Sequence, residues 1–226
     1  MTPAPERADG AGPTPKPAPV PRRIWLLGPP GAGKTTLGRQ LAERLGRPHH
    51  ELDAFFWHRG WTRADGDRFC AAVAEMAAGE AWIADGQYHE AHSVLASRAD
   101  AVVWLDVPLR VALTRVARRT LRRLVTRTGL WNGNRETPGS AWSLLVWTVR
   151  SHRDVAAVNR PLLARLAAQG VHTVRTGSAE VALAQLLGAP PATPAPVGTA
   201  EAAPAAPCSD PSAPDGARPL AHERMP

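Results

Sequence analysis

Residues 28–35 read Gly-Pro-Pro-Gly-Ala-Gly-Lys-Thr and fill every required position of the pattern GxxxxGK[ST]. That spacing builds an anion nest. Its glycines let successive backbone N–H groups turn inward, and a helix starting at the lysine adds its positive dipole end. In this setting Gly28, Pro29, Pro30, Gly31, Ala32 and Gly33 cradle the phosphates of ATP, with Thr36 closing the motif. Lys34 reaches the β- and γ-phosphates, and Thr35 offers its hydroxyl to Mg²⁺. Lys34 is the only lysine in residues 22–188, a stretch that holds 22 arginines. A planar guanidinium is too wide to serve as a point charge among phosphates, so the lysine is a specific choice.

A site of this kind also needs a carboxylate for the metal, at the end of a neighbouring strand. Asp85 follows AWIA and Asp106 follows AVVWL, so both meet the requirement. Asp85 is favoured, because Gly86 beside it leaves room for close approach of a phosphate. Asp106 precedes Val-Pro and a helix, where capping is its natural role. Asp53 is a third acid on the same rim, or else a turn residue before Ala54-Phe55-Phe56. From Val107 to Arg135 there are eight arginines and no acid. Arg115, Arg119 and Arg122, joined by Arg118, share one helical face through three- and four-residue spacing. Leu109, Leu113, Val116, Leu121 and Leu124 are expected to form the apolar side. With no glutamate to relieve repulsion, the run is expected to be a lid that turns arginines toward phosphate oxygens and excludes water. Arg150 and Arg153 on the next helix would complete the ring. Trp57 and Trp61, flanking His58-Arg59-Gly60, either stack on a substrate ring or pack in the core.

Five strand-like runs alternate with helical patterns and can hold these groups in place. The strands are expected at 24–27, 50–52, 82–84, 101–105 and 171–174. Between them, helices are expected at 34–45, 67–78, in a long run after Pro108, at 142–158, at 161–168 and at 179–187, with 129–139 a loop. The result is an α/β fold: a doubly wound, five-stranded parallel sheet with a P-loop and a short arginine-rich helical lid.

Composition divides the chain. Residues 1–21 hold seven prolines and residues 189–226 hold ten, with few large apolar side chains. Both are expected to be disordered tails around a kinase domain at 22–188. The formal net charge is +7, yet residues 22–188 alone carry +9, which calls for an anionic partner. The two cysteines match no metal-ligand spacing. Lacking an apolar run long enough for a bilayer, and without a signal-peptide core near the start, the chain is expected in the cytoplasm.

Taken together, GPPGAGKTT (28–36), LDAFFWHRGW (52–61), DGQY (85–88), ADAVVWLDVP (99–108) and LWNGNRE (130–136) resemble the adenylate kinase-like P-loop kinases. Within them the chain is similar to the topology-modulation-protein group. The resemblance spans about residues 23–187. It implies that Asp85-Gly86 lies close to Mg²⁺ and substrate, and that Arg115 and Arg119 act as adenine-stacking and phosphate-binding arginines. It further implies that Arg150 and Arg153 grip the transferred phosphate, and that the backbone around Gly177 touches adenine. Two departures stand out. The LDAFFW segment replaces the usual nucleoside-monophosphate pocket, and the lid lacks the long insert of classical adenylate kinases.

Three functions are compatible with these residues. The first expectation is an ATP-dependent nucleoside-monophosphate kinase, which needs several arginines but no base. The alternative is a kinase of a small hydroxyl compound, as in shikimate- or gluconate-kinase-like proteins, with Asp53 taking the proton. The third is an ATP-dependent nucleic-acid-binding regulator; the charge permits it, but no helix-turn-helix, zinc-finger or RNP-like segment supports it.

Overall fold

The computed structural model describes residues 20–188, so the tail expected at 189–226, and all of that expected at 1–21 but its last two residues, lie outside the described residues. The strands are β1 (Arg23–Leu27), β2 (His49–Glu51), β3 (Trp82–Asp85), β4 (Ala101–Leu105) and β5 (His172–Thr176). They form one parallel sheet in the order β2-β3-β1-β4-β5. The expected α/β architecture is therefore the observed one. The order reverses around β1: the chain leaves it for the β2 side and later returns to lay β4 on its other edge. In such sheets the crevice beyond the carboxyl ends of the central strands is where ligands bind.

Side chains alternate across the central strands with period two. Trp25 and Leu27 face one side with Trp82 and Trp104, where they meet Phe69 and Val73 of α3 (Gly66–Ala77) and Leu95 of α4 (His92–Arg98). The end of α6 (Pro138–Ala168) covers the same face through Leu162, Leu163 and Leu166. Ile24 and Leu26 face the other side with Val103 and Leu105, under α1 (Lys34–Leu45) and α7 (Ala179–Gly188). Burial on both faces explains why β1 and β4 read as unbroken apolar runs.

Helix α4 was not expected, and three expected regions take another form. Residues 52–56 form a short helix, α2 (Leu52–Phe56), so Asp53 stands in a first helical turn and not in a simple turn. Residues 142–168 belong to a single helix that continues through Pro161. Packing of Asn159, Leu162 and Leu163 on the sheet side outweighs the donor that the proline lacks. The arginine helix, α5 (Leu109–Thr126), buries Ala112, Val116 and Thr120, whereas Leu121 is 64% exposed. Its buried stripe is thus narrower than the leucines suggested.

Candidate active site

The phosphate loop leaves β1 at Leu27 and enters α1 at Lys34, as its spacing required. Gly28 has φ +142°, and a Cβ there would stand 2.7 Å from the Leu105 carbonyl oxygen. Gly31 has φ +77°, and a Cβ there would meet the Ala112 carbonyl oxygen at 2.5 Å. The loop is therefore wedged between β4 and α5, with no room for a side chain at either position. Lys34 Nζ donates to the carbonyls of Gly28 at 2.8 Å and Pro29 at 3.1 Å. Burial lowers its pKa, and the charges of Asp85 and Asp53 pull it back up.

A cavity of about 910 Å³ opens in front of the loop. Gly28, Pro29, Pro30, Gly31, Gly33, Lys34, Thr35 and Thr36 line it, and Ala32 is buried behind. Asp53, Asp85, Arg115 and Arg119 line the same space, as do Arg122 and Arg123. Arg115 also braces the loop, with Nη1 donating to the Ala32 carbonyl at 3.3 Å. Arg119 has its pKa lowered by desolvation and by the like charge of Arg123.

Asp85, 5% exposed, ends β3 and is held from behind: His49 Nε2 lies 2.9 Å from Oδ2. His49 itself occupies the space that a side chain at Gly38 would take, since a Cβ there would fall 2.3 Å from Nε2. Asp106 takes the other course. Both Arg175 nitrogens that reach it bond Oδ2, at 2.9 and 2.6 Å, and the helix after Pro108 has no side-chain cap. Asp106 is thus neither a cap nor part of the cavity. Thr35 and Asp85 together give a hydroxyl and a carboxylate oxygen beside Lys34, the hard oxygen donors that Mg²⁺ takes along with phosphate oxygens.

Asp53 accepts a short hydrogen bond from the Tyr88 hydroxyl. Burial pushes its pKa up, the Tyr88 bond pushes it down, and the charge of Asp85 pushes it up again. Tyr88 is driven well above its ordinary value by burial and by Asp53, so it stays a donor. Trp57 and Trp61 divide between core and cavity. They meet edge-to-face at 5.7 Å, Trp57 packs into the core, and both line the cavity.

Three expected residues stand elsewhere. Arg150 and Arg153 are exposed on α6, because the stripe turned to the cavity is Trp147, Ser151 and Val155, four residues apart. Helical phase puts Arg153 opposite that stripe and Arg150 about 100° away. Gly177 lies against the Asp106 carbonyl beyond β5, outside the cavity lining.

The way in which the loop after α5 is held was barely legible beforehand. Asn134 Oδ1 accepts from the backbone N–H groups of Gly60 at 2.7 Å and Trp61 at 3.1 Å, and its Nδ2 donates to the His58 carbonyl at 2.8 Å. Asn132 Nδ2 donates to the carbonyls of Trp57 at 2.6 Å and Ala54 at 3.2 Å. Trp131 Nε1 donates to Glu51 Oε2 at 3.0 Å, and Trp61 Nε1 to the Arg135 carbonyl at 3.1 Å. The WNGN loop and the HRGW segment thus form one wall. Paired Asn side chains near two tryptophans were the only signal, and their partners lie too far off in sequence to be guessed.

A family model for shikimate kinase matches residues 30–64, from the phosphate loop past Asp53. The chain is 31% identical over 104 residues to the uncharacterized protein YqaC of Bacillus subtilis, covering 45% of this chain and 58% of that one. It is 62% identical over 32 residues to a shikimate kinase of Dechloromonas aromatica, covering 14% of this chain and 18% of that one. It spans less than two thirds of either relative. Among solved structures, a shikimate kinase from Acinetobacter baumannii in complex with shikimate superposes with a TM-score of 0.46 at 24% identity, over 74% of this chain and 93% of that one.

No helix of the described residues is long and apolar enough to cross a membrane.

Proposed function

We propose that the protein is an ATP-dependent kinase that transfers the γ-phosphoryl group to a hydroxyl of a small molecule, with Asp53 as the base. The observation that carries this reading is Asp53 itself: a half-buried carboxylate bonded by the Tyr88 hydroxyl, in the same cavity as Lys34 and Thr35, with its pKa pushed up by desolvation. An acceptor phosphate has no proton to lose, whereas an alcohol does. The family match supports the same choice, since residues 30–64 run from within the phosphate loop past Asp53.

The nucleoside-monophosphate reading stood first on the sequence because of its arginines. Two of those, Arg150 and Arg153, are exposed outside the cavity, which leaves a second phosphate with fewer partners. The nucleic-acid reading gains no support either: Arg115, Arg119, Arg122 and Arg123 line the cavity, so part of the basic helix already faces the phosphate site.

The roles follow from position. Lys34 and the loop N–H groups bind the β- and γ-phosphates, and Thr35 and Asp85 are the groups that would hold Mg²⁺, with His49 fixing the carboxylate. When bound, the ion neutralises charge on the phosphate oxygens. Arg115 and Arg119 stabilise charge on the moving phosphoryl group. Asp53 receives the acceptor's proton while Tyr88 orients it. ADP release coupled to Mg-ATP turnover, read against shikimate, gluconate and nucleoside monophosphates, tests the reading. Turnover with an alcohol is expected; faster turnover with a monophosphate than with any alcohol refutes it.

A further inference from the structure

Most polar side chains on the cavity walls are already bonded to other parts of the chain. Glu51 accepts from Arg39 Nη2 on one oxygen and from the Trp131 indole N–H on the other, both at 3.0 Å. Glu136, whose side chain is 5% exposed, accepts from Arg123 Nη1 at 2.9 Å. Gln87 and Asn159 form a reciprocal amide pair, at 2.8 and 3.2 Å. These groups brace the walls. A hydroxyl that gave up its water to enter would have to share their bonds to recover what it lost.

What the walls offer in surplus is ring surface close to the base. Asp53 accepts from Tyr88, and the Trp57 indole bonds Tyr88 in turn. Trp57 meets Trp61 edge-to-face at 5.7 Å, and Trp131 bonds Glu51, two residues before Asp53. Trp61 and Trp131 are both partly exposed in the cavity lining. Their N–H groups are directed to the Arg135 carbonyl and to Glu51, so each turns carbon surface to the space. Indole carbon packs against a saturated ring or a flat one. The lid decides between them. Arg122 lines the same cavity, and its guanidinium forms no ion pair among the described residues. A guanidinium plane is attracted to the π face of an aromatic ring, and a saturated ring has no such face.

We propose that the acceptor is an alcohol built on a flat aromatic ring, packed on Trp61 and Trp131 and stacked by Arg122, and not a hydroxyl-rich saturated compound. This rests on the kinase reading above. The ring's hydroxyl gives its proton to Asp53. Its oxygen bonds the γ-phosphorus as the bond from that phosphorus to ADP breaks. Shikimate and gluconate are rich in hydroxyls and lack an aromatic ring, so both are poor matches to these walls.

The test uses benzyl alcohol and cyclohexylmethanol, which share a hydroxymethyl group on a six-membered carbon ring and differ in flatness. Pyridoxine and thymidine extend the flat set; shikimate and gluconate extend the other. Coupled ADP release reads each in the wild type, Trp61→Leu and Trp61→Phe, with ADP binding measured by calorimetry. The best flat-ring alcohol is expected to exceed all three non-aromatic compounds by more than about 10-fold in kcat/KM, the joint gain from indole and guanidinium stacking. Trp61→Leu should raise the KM for that acceptor by roughly 10-fold, Trp61→Phe by less, and ADP affinity should hold in both. Turnover of shikimate, gluconate or cyclohexylmethanol that equals or exceeds every flat-ring alcohol overturns the proposal and leaves the kinase reading intact. An unchanged acceptor KM in a Trp61→Leu that still binds ADP does the same. Absence of turnover with every alcohol, while ADP still binds, overturns both.

Discussion

Replacing Asp53 with asparagine keeps the side chain's shape and leaves an oxygen for the Tyr88 hydroxyl, but removes the proton acceptor. General-base catalysis contributes about 10²- to 10⁴-fold, which is about 2.7 to 5.4 kcal/mol of barrier at 1.36 kcal/mol per tenfold. Burial raises Asp53 above its ordinary 3.8, and a stronger base argues for the upper part of that range. Stability should move differently. A carboxyl whose folded pKa is raised favours the folded state below its unfolded pKa, and that contribution is lost as the pH rises through the folded value. At pH 7 the ionised Asp53 therefore opposes folding, relative to a neutral side chain. Asp53→Asn is accordingly expected to lose about 10³-fold or more in kcat at pH 7, with a Tm equal to or above the wild type. Coupled ADP release with the best alcohol acceptor and scanning calorimetry read the two quantities. A loss below about tenfold in a folded variant refutes the assignment, because no general base acting in the transition state is that dispensable.

Tyr88→Phe removes the hydrogen bond that lowers the Asp53 pKa, so the acid limb of kcat/KM should shift to higher pH while the plateau above it persists; an unmoved limb means that Asp53 does not set it. Lys34→Ala should cut the transfer rate by roughly 10²- to 10³-fold or more, as a lost transition-state charge does. Single-turnover rates above that range rule out its contact with the transferred phosphate. Gly31→Ala drives a Cβ to 2.5 Å from the Ala112 carbonyl oxygen and 2.9 Å from Val116 Cγ2 at a positive φ, so it should destabilise the fold by about 1–3 kcal/mol and weaken ADP binding. An unchanged melting temperature and ADP affinity would show that α5 does not bear on the loop.

What the sequence made legible follows from where each signal resides. Gly28 through Thr35 announced both a strand end and a helix start, because backbone geometry and chemistry demand the same residues there. β1 and β4 were readable since both of their faces are buried. The phase of α6 was not: two arginines a turn apart say nothing of which side meets the cavity, and Trp147, Ser151 and Val155 hold that side. α4 went unnoticed because His92–Arg98 is short and buries little beyond Leu95. Glu51, Glu136 and His49 were missed for another reason. Each matters through a partner far along the chain, Trp131, Arg123 and Asp85 respectively, and single-sequence patterns carry no record of such pairs.

Asn132 and Asn134 sew the loop between α5 and α6 to the tryptophan wall across more than 70 positions of sequence. The hairpin that bears the arginines and the surface that would greet the acceptor consequently travel as one body. A hairpin swinging off the phosphate loop must take the wall along or tear the seam. An ill-fitting guest that displaced the wall would draw the guanidinium groups away from ATP, leaving the nucleotide uncleaved until a better-shaped molecule arrived. On the proposed reading, restraint toward water would rest on five amide hydrogen bonds remote from the atoms that react.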